Sequence, residues 1–414
     1  MRPGHALLRV AGSDGQQPTS CRRTDPHRHE AGGAAPTIRN MAQTFDVCIR
    51  GAGVVGRTLA LLLARERLRV ALVAPAAGAQ ADDVRAYALN TASRTLLESV
   101  RAWPDAEHAT AVLQMQVHAD QDGMVCFDAA QQGCDALTWI VDVPALEARL
   151  QDAVRFQPQV EQLTEPVAAP LTVVCEGRAS RTREEFGAEF DITPYGQHAI
   201  ATRLVCERPH GQVARQWFAP DGSILAFLPL DGAQGNSVAV VWSVPQEQAA
   251  HWLQASDEDF TAQLRVASHD SLGALQALGP RASWPLQQAQ ARHWCGALPG
   301  ERSQSWVLAG DAAHNVHPLA GQGLNLGLGD ARTLARVLHE RAAWRGVGDM
   351  RLLRGYERER KAALLPMGMA MDGLQQLFAR RESALAALRN WGMKGFERSG
   401  PLKAWVARRA MGTD

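Results

Sequence analysis

The chain has no net charge, no long apolar run and no paired-cysteine motif, and each absence removes a class of function. Its 43 Lys and Arg balance 43 Asp and Glu, so the basic field that holds nucleic acid is missing. No apolar stretch approaches the ~18 residues a bilayer-spanning helix needs; the run Leu59 to Ala64 stops far short of that. The 7 cysteines, at 21, 48, 126, 134, 175, 206 and 295, are scattered and odd in number. That spacing fits thiols in a reducing cytoplasm rather than a disulfide framework or a zinc site. The first forty residues lack periodicity and lack the apolar core of a secretory signal. Residues 1–40 read as a disordered leader, or as a start assigned upstream of Met41; a regulatory arm is the alternative. What remains, in a chain of 414 residues that is 46% hydrophobic, has room for one large core or two sharing a hinge.

The patterned part opens with Phe45-Asp46-Val47-Cys48-Ile49-Arg50, a run with the length of a buried strand. It enters Gly51-Ala52-Gly53-Val54-Val55-Gly56, then a helical stretch from Arg57 to Arg65 and a second apolar strand, Leu68 to Ala74. Strand, glycine turn, helix, strand is the order a dinucleotide-binding unit requires. Gly51 permits the tight turn, Gly53 lets backbone approach a pyrophosphate, and Gly56 lets helix and strand pack closely. An acidic residue usually ends the second strand and holds the adenosine ribose. Ala74 stands there instead, so the ribose needs another holder or the dinucleotide is held less tightly. A Rossmann unit that binds nothing is the plainer alternative at this point.

A second segment bears on that choice. Trp306-Val307-Leu308-Ala309 reads as a buried strand, followed by Gly310-Asp311, then Pro318, the turn Gly321-Gln322-Gly323, and a helical period from Leu324 to Leu338. A carboxylate at a strand end can accept hydrogen bonds from ribityl hydroxyls. Backbone N–H groups at a helix start suit a negative charge developing on a ring. Asp311 could equally be an ordinary cap. His314-x-x-His317 lacks a third ligand and runs into Pro318, so no metal is expected.

The stretch His317-Pro318-Leu319-Ala320-Gly321-Gln322-Gly323-Leu324-Asn325-Leu326-Gly327-Leu328-Gly329-Asp330 resembles the flavin motif of class A flavoprotein monooxygenases. In particular it is similar to the ubiquinone-biosynthesis hydroxylases, with every fixed position of their signature H-P-x-A-G-Q-G-x-N-x-G-x-x-D present. Asp83-Val84-Arg85-Ala86-Tyr87-Ala88-Leu89, Trp139 to Leu146 and Tyr356 to Arg360 match other family segments, so the resemblance runs from Met41 to about Gly412. It implies FAD bound through Gly51, Gly53, Gly56, Arg85, Gly310, Asp311, Pro318, Gly321, Gln322, Gly323, Leu324 and Asn325. It also implies NAD(P)H as electron donor, O2 as co-substrate, and a hydroperoxide at flavin C4a that transfers one oxygen to an electron-rich ring. The family's A-D-G-x-x-S motif stands here as Cys175-Glu176-Gly177-Arg178-Ala179-Ser180. Glu176 and Gly177 are then NAD(P)H-linked candidates, a solvated loop charge being the other reading of Glu176. The segment from Leu150 to Leu171 is short, and a strand or hairpin is expected to be missing there.

The expected fold is α/β: a Rossmann-like FAD-binding domain with a parallel sheet (44–115, 142–180 and 286–340), interleaved with an antiparallel-sheet substrate domain (116–141 and 181–285). A C-terminal helical region follows (341–414). Ile224 to Leu230 and Ser237 to Trp242 read as strands of that substrate sheet; Trp217, Phe218, Phe227 and Trp242 are candidate pocket walls or plain core. No catalytic base is identifiable, because a flavin carries the chemistry and the protein positions it and excludes water. The family implies a lipophilic aromatic substrate, a polyprenylated phenol of ubiquinone synthesis. Eight Lys or Arg against three acids from Leu374 to Asp414 add a basic amphipathic segment. The expectation is a cytoplasmic protein with peripheral contact to the inner membrane or to a quinone-synthesis complex. A monooxygenase of a small soluble aromatic, and a weakly catalytic flavin-binding subunit, are the alternatives.

Overall fold

The core of the molecule is a six-stranded sheet in the spatial order Cys295–Leu298, Glu301–Leu308, Leu171–Val174, Val47–Arg50, Val70–Val73, Val160–Leu163. This computed structural model describes residues 44–74, 83–119, 123–315 and 322–379. Five of the six strands run parallel, and only Cys295–Leu298 is antiparallel to its neighbour. The inner strands are apolar on both faces, as parallel strands covered by helices must be. Val47–Arg50 is the pivot. From it the chain passes through helix Val54–Arg65 to Val70–Val73 on one side, while Leu171–Val174 lies against its other side. A sheet whose strand order reverses in this way opens a crevice at the carboxyl ends of those strands.

Helices Val54–Arg65, Thr91–Ser99, Val143–Arg155 and Gly323–His339 all contribute to one apolar cluster with this sheet. A long helix, Met350–Ala379, adds Leu353, Tyr356 and Leu364 to the same cluster. The short segment from Leu150 to Leu171 still supplies one strand, Val160–Leu163, at the sheet edge. Gly327 explains how the helices come so close. A Cβ there would sit 2.8 Å from Val55 Cγ2, so helix Gly323–His339 can lie against the glycine-turn helix only without a side chain at that position.

An eight-stranded sheet forms the second layer, built mainly on Phe190–Cys206, Leu275–Ala291, Ser237–Pro245 and Ile224–Pro229 paired antiparallel. Trp217, Phe227 and Trp242 are buried in its own apolar cluster with Phe260, so these three expected wall residues serve as core. A third, small sheet of Ala86–Leu89, Thr138–Asp142 and Ala109–Val112 lies beyond what periodicity forecasts. Among the described residues no helix is long and apolar enough to cross a membrane.

Candidate functional site

Three chain turns meet at the carboxyl edge of the parallel sheet. Gly51 N donates to Val73 O at 3.0 Å, Cys175 N to Arg50 O at 2.7 Å and Ala309 N to Val174 O at 3.0 Å. The glycine turn, the Glu176 loop and the Gly310 turn are thereby held side by side.

Each glycine of the first turn answers a different steric demand. Gly51 has φ +111°, and a Cβ on it would lie 2.4 Å from Cys175 O. A Cβ on Gly56 would lie 1.9 Å from Gly51 O. These two let the backbone close on itself. Gly53 differs: no described heavy atom lies within 4 Å of where its Cβ would be, which leaves space above the start of helix Val54–Arg65. That helix has no side-chain cap and no acid in its first turn, so its first N–H groups are available to an anion. Together these features fit the pyrophosphate of a dinucleotide.

Asp311 stands across the crevice in the short 3-10 turn Gly310–Ala312. Its carboxylate accepts no hydrogen bond from any described residue. Burial raises its pKa above the ordinary carboxylate range, and the charges of His314, Arg178 and Arg85 only partly offset that. A sheltered carboxylate without donors is what ribityl hydroxyls would satisfy. Gln322, Gly323 and Leu324 form the uncapped start of helix Gly323–His339, with open space at Gly323. Pro318 and Gly321, also expected to touch the cofactor, lie outside the described residues, as does His317.

Several signature residues turn out to build the site. Asn325 Oδ1 accepts from Asn90 N at 3.0 Å and Ser93 Oγ at 2.7 Å, while its Nδ2 donates to Ala88 O at 2.8 Å. Asn325 therefore ties the cofactor helix to the segment leading from Arg85. Asp330, fully buried, accepts from Gly310 N at 2.8 Å and Arg360 Nε at 2.6 Å and bonds His314 Nε2 at 2.7 Å. Burial alone would raise this carboxyl, but His314 and Arg360 outweigh it and hold the pKa below its usual value. His314 also stacks on Trp294 at 5.0 Å. Asp330 thus fixes the turn that presents Asp311. Its place at the end of the signature was its sequence signal, and Arg360 was marked by the family-like segment Tyr356 to Arg360 but not by any role.

Glu176 is similarly occupied. Its oxygens accept from Ser180 Oγ at 2.8 Å, Thr182 Oγ1 at 2.6 Å and Thr182 N at 3.2 Å, and Arg50 Nε stands 3.3 Å away. Burial pushes its pKa up, yet these hydrogen bonds and Arg50 bring it below the ordinary value. Glu176 caps the loop, and neighbouring Gly177 takes φ +79° with open space around it. Arg178, next along, reaches toward the second layer, with its guanidinium 5.9 Å from the Trp284 ring. Arg85 Nε and Nη2 donate to the two oxygens of Asp83, and the backbone of 84–85 is gripped by Arg203. That guanidinium donates to Val84 O and Arg85 O, both at 3.4 Å, and bidentately to Asp142 at 2.9 and 3.0 Å. Sequence alone gave no sign of Arg203, which joins the second layer to the crevice.

The profile of the FAD binding domain family matches residues 128–367. Among curated proteins the chain is 29% identical to "Ubiquinone hydroxylase UbiL" of Rhodospirillum rubrum, over 91% of this chain and 92% of that protein. It is also 29% identical to the 3-demethoxyubiquinol 3-hydroxylase of Escherichia coli (strain K12), over 89% of this chain and 99% of that one. Of solved structures, p-nitrophenol 4-monooxygenase PnpA from Pseudomonas putida DLL-E4 superposes with a TM-score of 0.69 at 17% identity, covering 89% of this chain and 98% of that chain. That likeness establishes the shared fold.

Proposed function

Because the chain belongs to the FAD binding domain family, we propose that it is an FAD-dependent aromatic-ring monooxygenase that hydroxylates a polyprenylated phenol in ubiquinone biosynthesis, with NAD(P)H as electron donor and O2 as co-substrate. The observation that carries this reading is the alignment with ubiquinone hydroxylases along almost the whole chain, covering 91% of it in one case. FAD, when bound, supplies electron acceptance and oxygen activation, which no side chain of this protein can provide.

The protein's own tasks follow from the crevice. The uncapped helix start at Val54 and the space over Gly53 would receive the pyrophosphate. Asp311 would accept hydrogen bonds from the ribityl hydroxyls, and so gain donors it lacks among the described residues. The N–H groups at Gly323 and Leu324 lie at a positive helix end, which favours a ring that gains negative charge. Trp284, on the sheet of the second layer and facing Arg178, is the apolar wall against which an aromatic substrate would rest. The basic segment from Leu374 onward, lying mostly outside the described residues, supports peripheral contact with an anionic membrane that holds the lipophilic substrate.

Anaerobic stopped-flow mixing of the FAD-loaded protein with NADH or NADPH tests the reading. Flavin absorbance is expected to bleach within seconds with at least one of the two. A flavin that stays oxidised with both would leave a binding subunit with no turnover of its own. Flotation with anionic liposomes tests the membrane contact; failure to float even without added salt contradicts it.

A further inference from the structure

The ribose-binding acid that normally ends the second strand is replaced by Ala74, and the same crevice holds an arginine with too few partners. Arg57 follows Gly56 directly and lies in the first full turn of the glycine-turn helix. Its side chain is only 15% exposed. Its Nε and Nη1 are buried without a hydrogen-bond partner among the described residues. The nearest anion, Glu147 Oε2 on helix Val143–Arg155, stands 3.7 Å from Nη1, beyond hydrogen-bonding distance. Nor does Glu147 belong to Arg57 alone, since Arg85 Nη2 lies 4.0 Å from its other oxygen. One carboxylate is therefore shared between two guanidiniums.

A guanidinium withdrawn from water and lacking hydrogen bonds is unfavourable unless an anion completes its surroundings. Burial indeed lowers the pKa of Arg57, with Glu147 opposing that shift. The uncapped, acid-free helix start beside it is where a dinucleotide pyrophosphate rests. The geometry points to Arg57 as a phosphate ligand of the FAD, assisted by Arg85 across Glu147 and taking over part of the anchoring that Ala74 cannot give. This rests on the FAD-binding reading but on no choice of substrate. An arginine suits the task because its planar fork can engage phosphate oxygens while its stem stays packed.

The test uses the full chain stripped of flavin. FAD affinity is read by quenching of flavin fluorescence, and thermal melting is followed with and without FAD. Arg57→Met keeps the stem and removes the charge. Its Kd for FAD is expected to rise about 10- to 100-fold, the range for one charge-assisted hydrogen-bonding partner, and its salt dependence to flatten. The flavin-free variant is expected to melt no lower than the flavin-free parent, because an unsatisfied buried charge has gone. Arg57→Lys should recover part of the affinity. An unchanged Kd in Arg57→Met, or a loss of flavin-free stability without a loss of affinity, reduces Arg57 to an interhelical contact and overturns the proposal. Should Arg57→Met fail to fold, Glu147→Gln serves instead: removing the competing anion should tighten FAD binding several-fold, and weaker binding overturns it. A parent chain that binds no FAD at all would overturn the cofactor reading itself, a result distinct from these.

Discussion

Gly51 and Gly53 sit two positions apart in one turn, yet a methyl group at each should fail for opposite reasons. At Gly51 it meets Cys175 O in a left-handed backbone, so Gly51→Ala should cost at least about 1–3 kcal/mol of folding stability. Denaturant unfolding of the flavin-free protein reads that loss. At Gly53 the methyl meets no described atom, so Gly53→Ala should leave flavin-free stability unchanged while weakening FAD, whose phosphate needs the space. Equal unfolding curves for Gly51→Ala and the parent would remove the steric account of the turn. Asp311→Ala separates the same two quantities. Losing the acceptor of the ribityl hydroxyls should weaken FAD by about tenfold or more. The folded-state pKa of Asp311 is raised by burial, so this carboxyl favours folding at low pH and costs stability once ionised. Above the ordinary carboxylate range, near pH ~4, the flavin-free alanine variant should therefore become as stable as the parent or more so. A variant less stable than the parent at neutral pH would show that Asp311 is a structural cap.

At the scale of elements, helix Gly323–His339 is fastened at both faces. Asn325 holds the Ala86–Leu89 strand and the helix after it, and Asp330 holds Gly310, His314 and Arg360. Asp330→Ala would strand Arg360 and His314 in the core, for which about 3–5 kcal/mol is the usual cost of breaking one side of a buried ion pair. Because His314 and Arg360 hold the Asp330 carboxyl below its ordinary pKa, its stabilisation is present above the ordinary carboxylate range. That stabilisation drains away as pH falls through the folded value. Acid unfolding of Asp330→Ala should accordingly be shallower than that of the parent; parallel curves would count against the anchor. The motif itself was readable because its glycines and its strand-turn-helix order are local properties of the chain. What each position does was less readable. Asn325 looks like a cofactor ligand in sequence but spends its amide on neighbouring segments, and Gly327 makes room for Val55. Both roles depend on a partner more than 200 residues away. Glu176 also looks like a site residue in sequence, yet its carboxylate is taken up by Ser180, Thr182 and Arg50. The apolar stretches at Val47, Val70 and Leu171 showed themselves because parallel strands buried on both faces leave no polar alternation. The small three-stranded sheet, made of short and mixed segments, did not.

Across the whole molecule the two layers have separate apolar cores, and a reaction that joins a flavin to a substrate needs them in register. Arg203, on strand Phe190–Cys206 of the second layer, grips Asp142 and the backbone of 84–85. Arg203→Met should leave FAD bound but let the layers shift, so that more NAD(P)H is oxidised per molecule hydroxylated. Comparing NAD(P)H consumed with product formed measures this; unchanged coupling would mean that other contacts set the register. The layer architecture was legible from the switch between apolar runs and alternating strands, whereas Arg203, a side chain that helps join the layers, carries no periodic signal. The central claim remains that this crevice holds FAD for ring hydroxylation of a lipophilic phenol. Its most direct test is turnover of the FAD-loaded protein with NAD(P)H, a short-chain prenylated phenol and isotopically labelled dioxygen, read by mass spectrometry. One labelled oxygen atom in a new ring hydroxyl is the expected result; label found only in hydrogen peroxide and water, with the phenol unchanged, would contradict it.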